Sequence, residues 1–332
     1  MRSQCDVSVS VIIPSRNRRD ELRRCLGSVA AQKGCRAETL VVDNGSTDGT
    51  AEMVRSEFPG VILLRNSTNL GAATARNQAL RIARGRYAWF LDSDSVVGNT
   101  DCLSTMVRLM EEHPKIGALG GELLRDAAGR VSIKLNRILV SGDTGATFLA
   151  PEAVELRDCD YLATCNCFVR RELLDRIGGF DPAYFYLSED KDLGFQIRRL
   201  GYRNVCDHRT AVLHDINLTE RRSLYLKCRN TVRFAIKNLP PHEVAILPIS
   251  TLVVRARLGI SDRLRSGEPA ALKYIPGKHP VIVKLVLLSA RYIFALAGAF
   301  VWNALRLPFT LRERFAQRNH IADAPEALRD ED

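Results

Sequence analysis

Tyr87-Ala88-Trp89-Phe90-Leu91-Asp92-Ser93-Asp94 decides how this chain reads. Five apolar or aromatic residues in succession suit a strand buried on both faces, and the two carboxylates mark where it opens into a loop. Two such charges at the rim of a core are unfavourable unless a cation lies between or beside them. A divalent ion gripping a diphosphate satisfies them, because Mg²⁺ and Mn²⁺ combine a few carboxylates with phosphate oxygens. A solvated acidic turn satisfies them equally, so the surrounding sequence has to decide.

Upstream, short apolar runs alternate with helical stretches. Strands are expected over 7–13, 39–42 and 61–64, and helices over 20–32, 50–58 and 72–83, the first with Leu22, Leu26 and Val29 on one face. This alternation predicts a mostly parallel α/β sheet, in which ligands sit at the carboxyl ends of the strands. Pro14-Ser15-Arg16-Asn17, Asp43-Asn44-Gly45-Ser46 and Asp92-Ser93-Asp94 each stand at such an end, so they are expected to converge on one edge. Asp43 can accept a hydrogen bond from the imide N–H of uracil or thymine, although Asp-Asn-Gly-Ser is also a good turn sequence with no ligand at all. Asn69-Leu70-Gly71 leads into a helix of small residues that carries Arg76, placed either to reach a nucleotide's phosphates or to make a surface ion pair.

Composition narrows the function. The 332 residues are 46% hydrophobic and 26% charged, enough for a sizeable core, and the nine cysteines form no regular framework and no Cys-x-x-Cys metal pair. Buried thiols in a reducing compartment are expected, and with no apolar leader read at the N-terminus a cytoplasmic location is the expectation. Residues 237–318 hold thirteen Lys/Arg against four Asp/Glu, nearly all of the net +10. Nucleic-acid binders interleave such charge with aromatics and base-reading polar groups; here Lys284, Arg291 and Arg306 flank apolar stretches instead. No nucleic-acid partner is expected, and an anionic membrane surface is. Leu285–Leu305, with Arg291 its single charge, is long enough to cross a bilayer, but that charge favours a helix lying in or dipping into the membrane over a true span. A soluble helix packed on the rest of the chain is the remaining alternative.

Together these motifs resemble the family 2 glycosyltransferases of the GT-A fold. The residues that carry the resemblance are Val11-Ile12-Ile13-Pro14-Ser15-Arg16-Asn17, Val41 to Thr50, Asn69-Leu70-Gly71 with Ala75-Arg76-Asn77, and Phe90 to Asp94. Their order makes the match far more specific than any one motif. It implies a donor site built from Pro14, Arg16, Asn17, Asp43, Asn44, Gly71, Arg76, Asp92 and Ser93, with Asp43 at the base, Asp92 at the ribose and Asp94 on the metal. Phe185-Tyr186-Leu187-Ser188-Glu189-Asp190 looks like the Glu-Asp motif of the same family, which makes Asp190 the general base and Glu189 its neighbour at the acceptor. Ser188 is read as the N-cap of that helix. An arginine common after this motif is Gln196 here, with Arg198 and Arg199 close behind.

The same resemblance makes His214 a third ligand of Mg²⁺ or Mn²⁺, or else a structural histidine. Asn166 would hydrogen-bond sugar hydroxyls or cap buried backbone. Arg229, in an Arg-Asn pair similar to that of rhamnosyltransferase-like members, would counter the diphosphate or brace its helix. The expected domains are 1–238, a GT-A catalytic domain with a donor half to about 120 and an acceptor half from 121, then a helical membrane-associating region over 239–318 and a loose acidic tail over 319–332. The implied activity is inverting, metal-dependent sugar transfer from a UDP- or dTDP-linked donor to a glycan or polyprenyl-lipid-linked acceptor, in cell-surface polysaccharide or glycolipid synthesis at the inner face of the membrane. No Gln-x-x-Arg-Trp follows Asp190, which speaks against a processive synthase. A sugar nucleotidyltransferase would need a glycine-rich loop where Pro14 to Asn17 stands, and a membrane-bound nucleotide-sugar sensor without turnover has no use for a base.

Overall fold

The computed structural model describes residues 8–125, 129–139, 142, 144–214, 224–245 and 294–322. Its strands are β1 (Val9–Ser15), β2 (Ala37–Asn44), β3 (Ile62–Asn66), β4 (Tyr87–Leu91), β5 (Ser95–Val96), β6 (Ile116–Gly120), β7 (Glu122–Arg125), β8 (Val131–Ile138), β9 (Thr144–Leu149), β10 (Arg157–Cys159), β11 (Asn166–Arg170), β12 (Arg203–Cys206) and β13 (Val212–His214). The helices are α1 (Arg19–Ala30), α2 (Thr50–Glu57), α3 (Ala72–Ile82), α4 (Cys102–Glu112), α5 (Arg171–Ile177), α6 (Glu189–Arg199), α7 (Leu224–Asn238) and α8 (Pro241–Ala245), then α9 (Phe294–Leu305) and α10 (Leu307–Ala322).

All five residues of β4 are buried, as its unbroken apolar run requires, and it lies inside an eight-stranded sheet of order β10-β12-β6-β11-β4-β1-β2-β3. The β1–β2, β2–β3, β1–β4 and β6–β12 pairs are parallel, while β11 runs antiparallel to both β4 and β6. Apolar side chains cover both faces: Leu22, Leu26 and Val29 of α1 pack with Trp89 and Leu91 on one, and Ala73, Ala75 and Ala79 of α3 with Phe90 and Val169 on the other. The small residues of α3 let that helix approach the sheet closely. A second sheet, ordered β5-β13-β7-β8-β9, stands beyond the end of β4.

Two boundaries differ from expectation. β1 and β2 run on through Ser15 and Asn44, because their ladder continues to the Ser15–Asp43 pair, so these motif residues end the strands instead of following them. Pro14 is tolerated there because the pairing of β1 with β4 has already stopped at Ile12, which leaves nothing on that side for its missing N–H to serve. Ser188 does not cap α6 with its side chain; it sits in the left-handed region, and the Asp190 carboxylate instead accepts from the Lys191 N–H at 2.7 Å.

The chain forms two compact units, one built on residues up to Arg137 with Gly145–Thr219, the other on Ile138–Thr144 with Glu220–Asn319. The second unit thus takes in residues on both sides of position 238, and α7 groups with the later helices. Within it Asn303 donates to the Arg229 carbonyl, Arg314 to the Ile236 carbonyl and Arg233 to Thr310, while the Trp302 ring lies between the Arg229 and Arg306 guanidinium groups. Among the described residues no single helix is long and apolar enough to cross a membrane; α9 and α10 meet at a 66° bend. Of the expected 285–305 helix, 285–293 lie outside the described residues, as does most of the 319–332 tail.

Candidate active site

The carboxyl ends of β1 and β2 carry the first group. Ser15 and Asp43 are register partners, and the Ser15 Oγ and Asp43 Oδ2 atoms are both buried without a hydrogen bond. Asp43 Oδ1 accepts from the Ser46 N–H at 2.9 Å, while the Arg65 guanidinium stands 3.4 Å from Oδ2. Buried polar atoms are rarely left without a hydrogen bond, so among the described residues this end of the sheet has room for a further donor beside Arg65. Asn17, at φ 51°, braces the rim: its Oδ1 accepts from the Thr47 N–H at 2.8 Å. Pro14 is half-buried beside it and Arg16 is exposed.

The second group gathers around the Asp-Ser-Asp turn. Asp92 Oδ1 accepts from Arg76 Nη2 at 2.8 Å, and Asp94 Oδ2 from Arg18 Nη1 at 3.0 Å. Ser93 is buried between them. His214 pairs with Ser95 across β13 and β5, which sets its ring beside the aspartates, with Nε2 3.3 Å from Asp94 Oδ1. Asp92, Asp94 and His214 each offer a ligand atom within 4.8 Å of the others, a carboxylate and imidazole set that suits a divalent ion such as Mn²⁺. Burial works against the charge on Asp94, but the His214 hydrogen bond and the His214 and Arg18 charges hold its carboxyl below the usual range. Burial likewise opposes a proton on His214, and the Cys165 sulfur and the carboxylates of Asp94 and Glu122 outweigh it, so its pKa is raised. Because burial pushes the Cys165 thiol up to about 12, the carboxylates are the charged partners near neutrality.

Arg76 joins this group to the third. Only 2% exposed, it donates through Nη2 to Asp92 and through Nη1 to Glu189 Oε1 at 2.9 Å, and its guanidinium lies over the Phe180 ring. Glu189 is buried, and its Oε2 has no hydrogen-bond partner. Burial pushes the Glu189 carboxyl up against the pull of Arg76, and the neighbouring Asp190 charge adds to the rise. Burial also raises Asp190, against the Lys191 N–H and the charges of Lys134, Arg76 and Lys191. The turn that delivers the pair is strained, with Phe185, Leu187 and Ser188 all at φ between 62° and 71°. It is pinned to α3: the Phe185 carbonyl accepts from the Ala72 N–H at 2.7 Å, and a Cβ on Gly71 (φ +84°) would meet that same carbonyl oxygen at 2.6 Å. Only glycine fits there. Asn77 holds the segment before the turn, accepting from the Phe180 N–H and donating to the Phe180 carbonyl.

Two expected site residues are corrected. Asn166 is 1% exposed, accepts from Trp89 Nε1 at 2.7 Å and donates to the Gly121 and Thr210 carbonyls, so its amide stitches strands together and has nothing left for a sugar. Asn44 donates to Asn69 and accepts from Asn66 and the Leu70 N–H, which makes it the centre of a buried amide cluster behind the donor end and not a contact for the donor. Arg229 belongs to the second unit, where its Nε donates to Asn230 Oδ1. Three residues at the site carried no usable sequence signal: Arg18, Glu122 and Lys134. Arg18 reads as one of several surface arginines at and just before the start of α1, and the other two meet only through the register of β7 with β8.

Residues 10–178 match the family model Glycosyl transferase family 2. The chain belongs to that family and is a transferase of sugar groups. It is 27% identical over 302 residues to the N-acetylglucosaminyl-diphospho-decaprenol L-rhamnosyltransferase of Mycobacterium tuberculosis, covering 78% of this chain and 94% of the relative. It is also 27% identical over 183 residues, 55% of this chain and 66% of the relative, to the UDP-Glc:alpha-D-GlcNAc-diphosphoundecaprenol beta-1,3-glucosyltransferase WfaP of Escherichia coli. Among solved structures it is similar to the mannosyltransferase PcManGT of Pyrobaculum calidifontis, in complex with GDP-Man and Mn²⁺, with a TM-score of 0.52 at 20% identity over 97% of this chain and 88% of that one. At that identity the likeness is one of fold, and the fold is GT-A.

Proposed function

We propose that the protein moves a sugar from a UDP- or dTDP-linked donor to a hydroxyl of a polyprenyl-diphosphate-linked saccharide, inverting the anomeric carbon in one displacement. The observation that carries this reading is Arg76, which ties Asp92 on the donor side to Glu189 on the Glu189-Asp190 side. One guanidinium thus joins an acidic turn suited to face a diphosphate to the segment that carries Asp190, a half-buried carboxylate suited to take a proton. Asp43 Oδ2, buried and without a hydrogen bond although the half-exposed Arg65 stands near it, accepts the imide N–H of a pyrimidine base, and Ser15 Oγ beside it bonds the same ring. Asp190 takes the proton of the acceptor hydroxyl, and burial keeps its carboxyl basic enough for the task. Glu189, held by Arg76, orients the turn and lines the acceptor side. A divalent ion, Mg²⁺ or Mn²⁺, held by Asp92, Asp94 and His214 would supply positive charge opposite the departing diphosphate. The acceptor class follows the two relatives whose names give a polyprenyl-diphosphate-linked saccharide.

The test is nucleotide release by the full chain with Mn²⁺, using UDP- and dTDP-linked sugars with and without a polyprenyl-diphosphate N-acetylglucosamine acceptor. Release that depends on both acceptor and metal is expected for one donor. Donors that bind without any acceptor-dependent release would remove the transferase reading in favour of a sensor.

We further propose that the second unit holds the enzyme on the inner, anionic face of the membrane. Phe294, Val301, Leu305, Phe309 and Phe315 are each more than half exposed on α9 and α10, next to the basic Arg306 and Arg312. Exposed apolar side chains with arginines beside them suit an acidic lipid surface. The full chain is expected to float with phosphatidylglycerol vesicles and to be released by salt; equal flotation with phosphatidylcholine alone would remove the electrostatic part, and none with either would remove the attachment.

A further inference from the structure

The second sheet carries a line of contacts that the transfer reaction described above does not use. Lys134 Nζ donates to Glu122 Oε2 at 2.9 Å, Glu122 Oε1 meets His214 Nδ1 at 2.8 Å, and His214 Nε2 faces Asp94. Its cause is strand register. Glu122 stands directly opposite Lys134 on β8 and opposite Val212 on β13, so β7 carries its carboxylate toward both the ammonium and the imidazole. Glu122 is 4% exposed, and both of its oxygens are engaged. A buried carboxylate tied to two basic groups is not a solvated surface charge; its position is fixed by the sheet.

We infer that Glu122 is a positioning residue for the metal, holding the Nδ1 proton of His214 so that Nε2 is the nitrogen that gives up its proton when an ion binds and turns its lone pair toward Asp92 and Asp94. This rests on the metal reading given above and adds to it the residue that fixes the ligand's tautomer. A neutral imidazole has one donor and one acceptor nitrogen, and a carboxylate on Nδ1 leaves Nε2 as the one free to ligate. A negatively charged acceptor also makes the ring a stronger ligand, and loss of such partners typically weakens metal binding by about 10–100-fold. Lys134 aims Glu122: its ammonium donates to Oε2 at 2.9 Å and leaves Oε1 to meet His214 Nδ1.

The experiment measures Mn²⁺ binding to the metal-stripped full chain by the loss of the free-ion paramagnetic signal, for wild type, Glu122→Gln and Lys134→Met. Glu122→Gln keeps the shape and loses the charge, and is expected to weaken Mn²⁺ by tenfold or more, with a smaller loss for Lys134→Met. In the Mg²⁺-loaded protein, ¹⁵N spectra are expected to show the His214 proton on Nδ1 in the wild type and shared between the two nitrogens in Glu122→Gln. A purely structural Glu122 would lower the unfolding temperature and leave both readouts unmoved, and that result overturns the inference. Wild-type protein that takes up no Mn²⁺ removes the metal reading itself and this inference with it, whereas equal binding by wild type and Glu122→Gln removes this inference alone.

Discussion

Asp190→Asn is expected to lower the rate of transfer by roughly 10²–10⁴-fold, the contribution of a positioned base, while nucleotide-sugar affinity changes little. The substitution is nearly isosteric, and Asn keeps an oxygen to accept the Lys191 N–H that Asp190 Oδ1 accepts now. What it removes is the ability to hold the proton of the attacking hydroxyl. The wild-type rate should also fall as pH drops. The base must be ionised to act, and burial raises the Asp190 pKa above its ordinary value, so the acid limb lies above the usual aspartate range. Single-turnover kinetics against pH, set beside donor titrations, check both statements. Full turnover by Asp190→Asn would pass the role of base to another group, with Glu189 next in line.

Arg76→Met should be the most destabilising single change at the site. The guanidinium neutralises Asp92 and Glu189 together, and its removal leaves Glu189 buried with neither oxygen paired. Stranding a buried charge by deleting its partner typically costs about 3–5 kcal/mol. Protonation of Glu189 limits that cost, so the loss should be largest at alkaline pH and smaller toward acid. The sign follows from Glu189 itself. Its folded-state pKa is already raised, so ionisation above the unfolded value penalises the native state, and the penalty grows once Arg76 no longer offsets it. Urea denaturation of wild type and Arg76→Met at several pH values measures this. Loss of less than about 1 kcal/mol at alkaline pH would mean that Arg76 is not the counter-charge on which the pair depends.

Much of the donor half was legible in the sequence because its information is local. Val9–Ser15, Ala37–Asn44 and Tyr87–Leu91 are apolar runs that end in polar motif residues, and parallel strands joined by helices bring such ends to one edge whatever the details. Asp43, Asp92 and Asp94 were readable for that reason. The other half depends on pairings between distant segments. Lys134 meets Glu122 only through antiparallel register, and His214 reaches Asp94 only because β13 pairs with both β5 and β7. Nothing in the residues near 122 or 134 announces those partners. Asn166 shows the opposite case: a polar residue beside a predicted site suits a ligand contact or a backbone cap equally well from sequence, and here the buried indole of Trp89 and two carbonyls claim its amide. Asn44 does the same, since an Asp-Asn-Gly turn does not reveal that Asn66 and Asn69 wait behind it.

The clasp between Gly71 and Phe185 bears on how substrates are handled. The helix that carries Arg76 and the turn that carries Asp190 share a main-chain hydrogen bond and an interatomic fit too tight for a methyl group. They can shift only as one piece. Nucleophile and leaving group therefore meet across a span set when the chain folds, and little of the energy released on docking either substrate has to be diverted into drawing the proton acceptor inward.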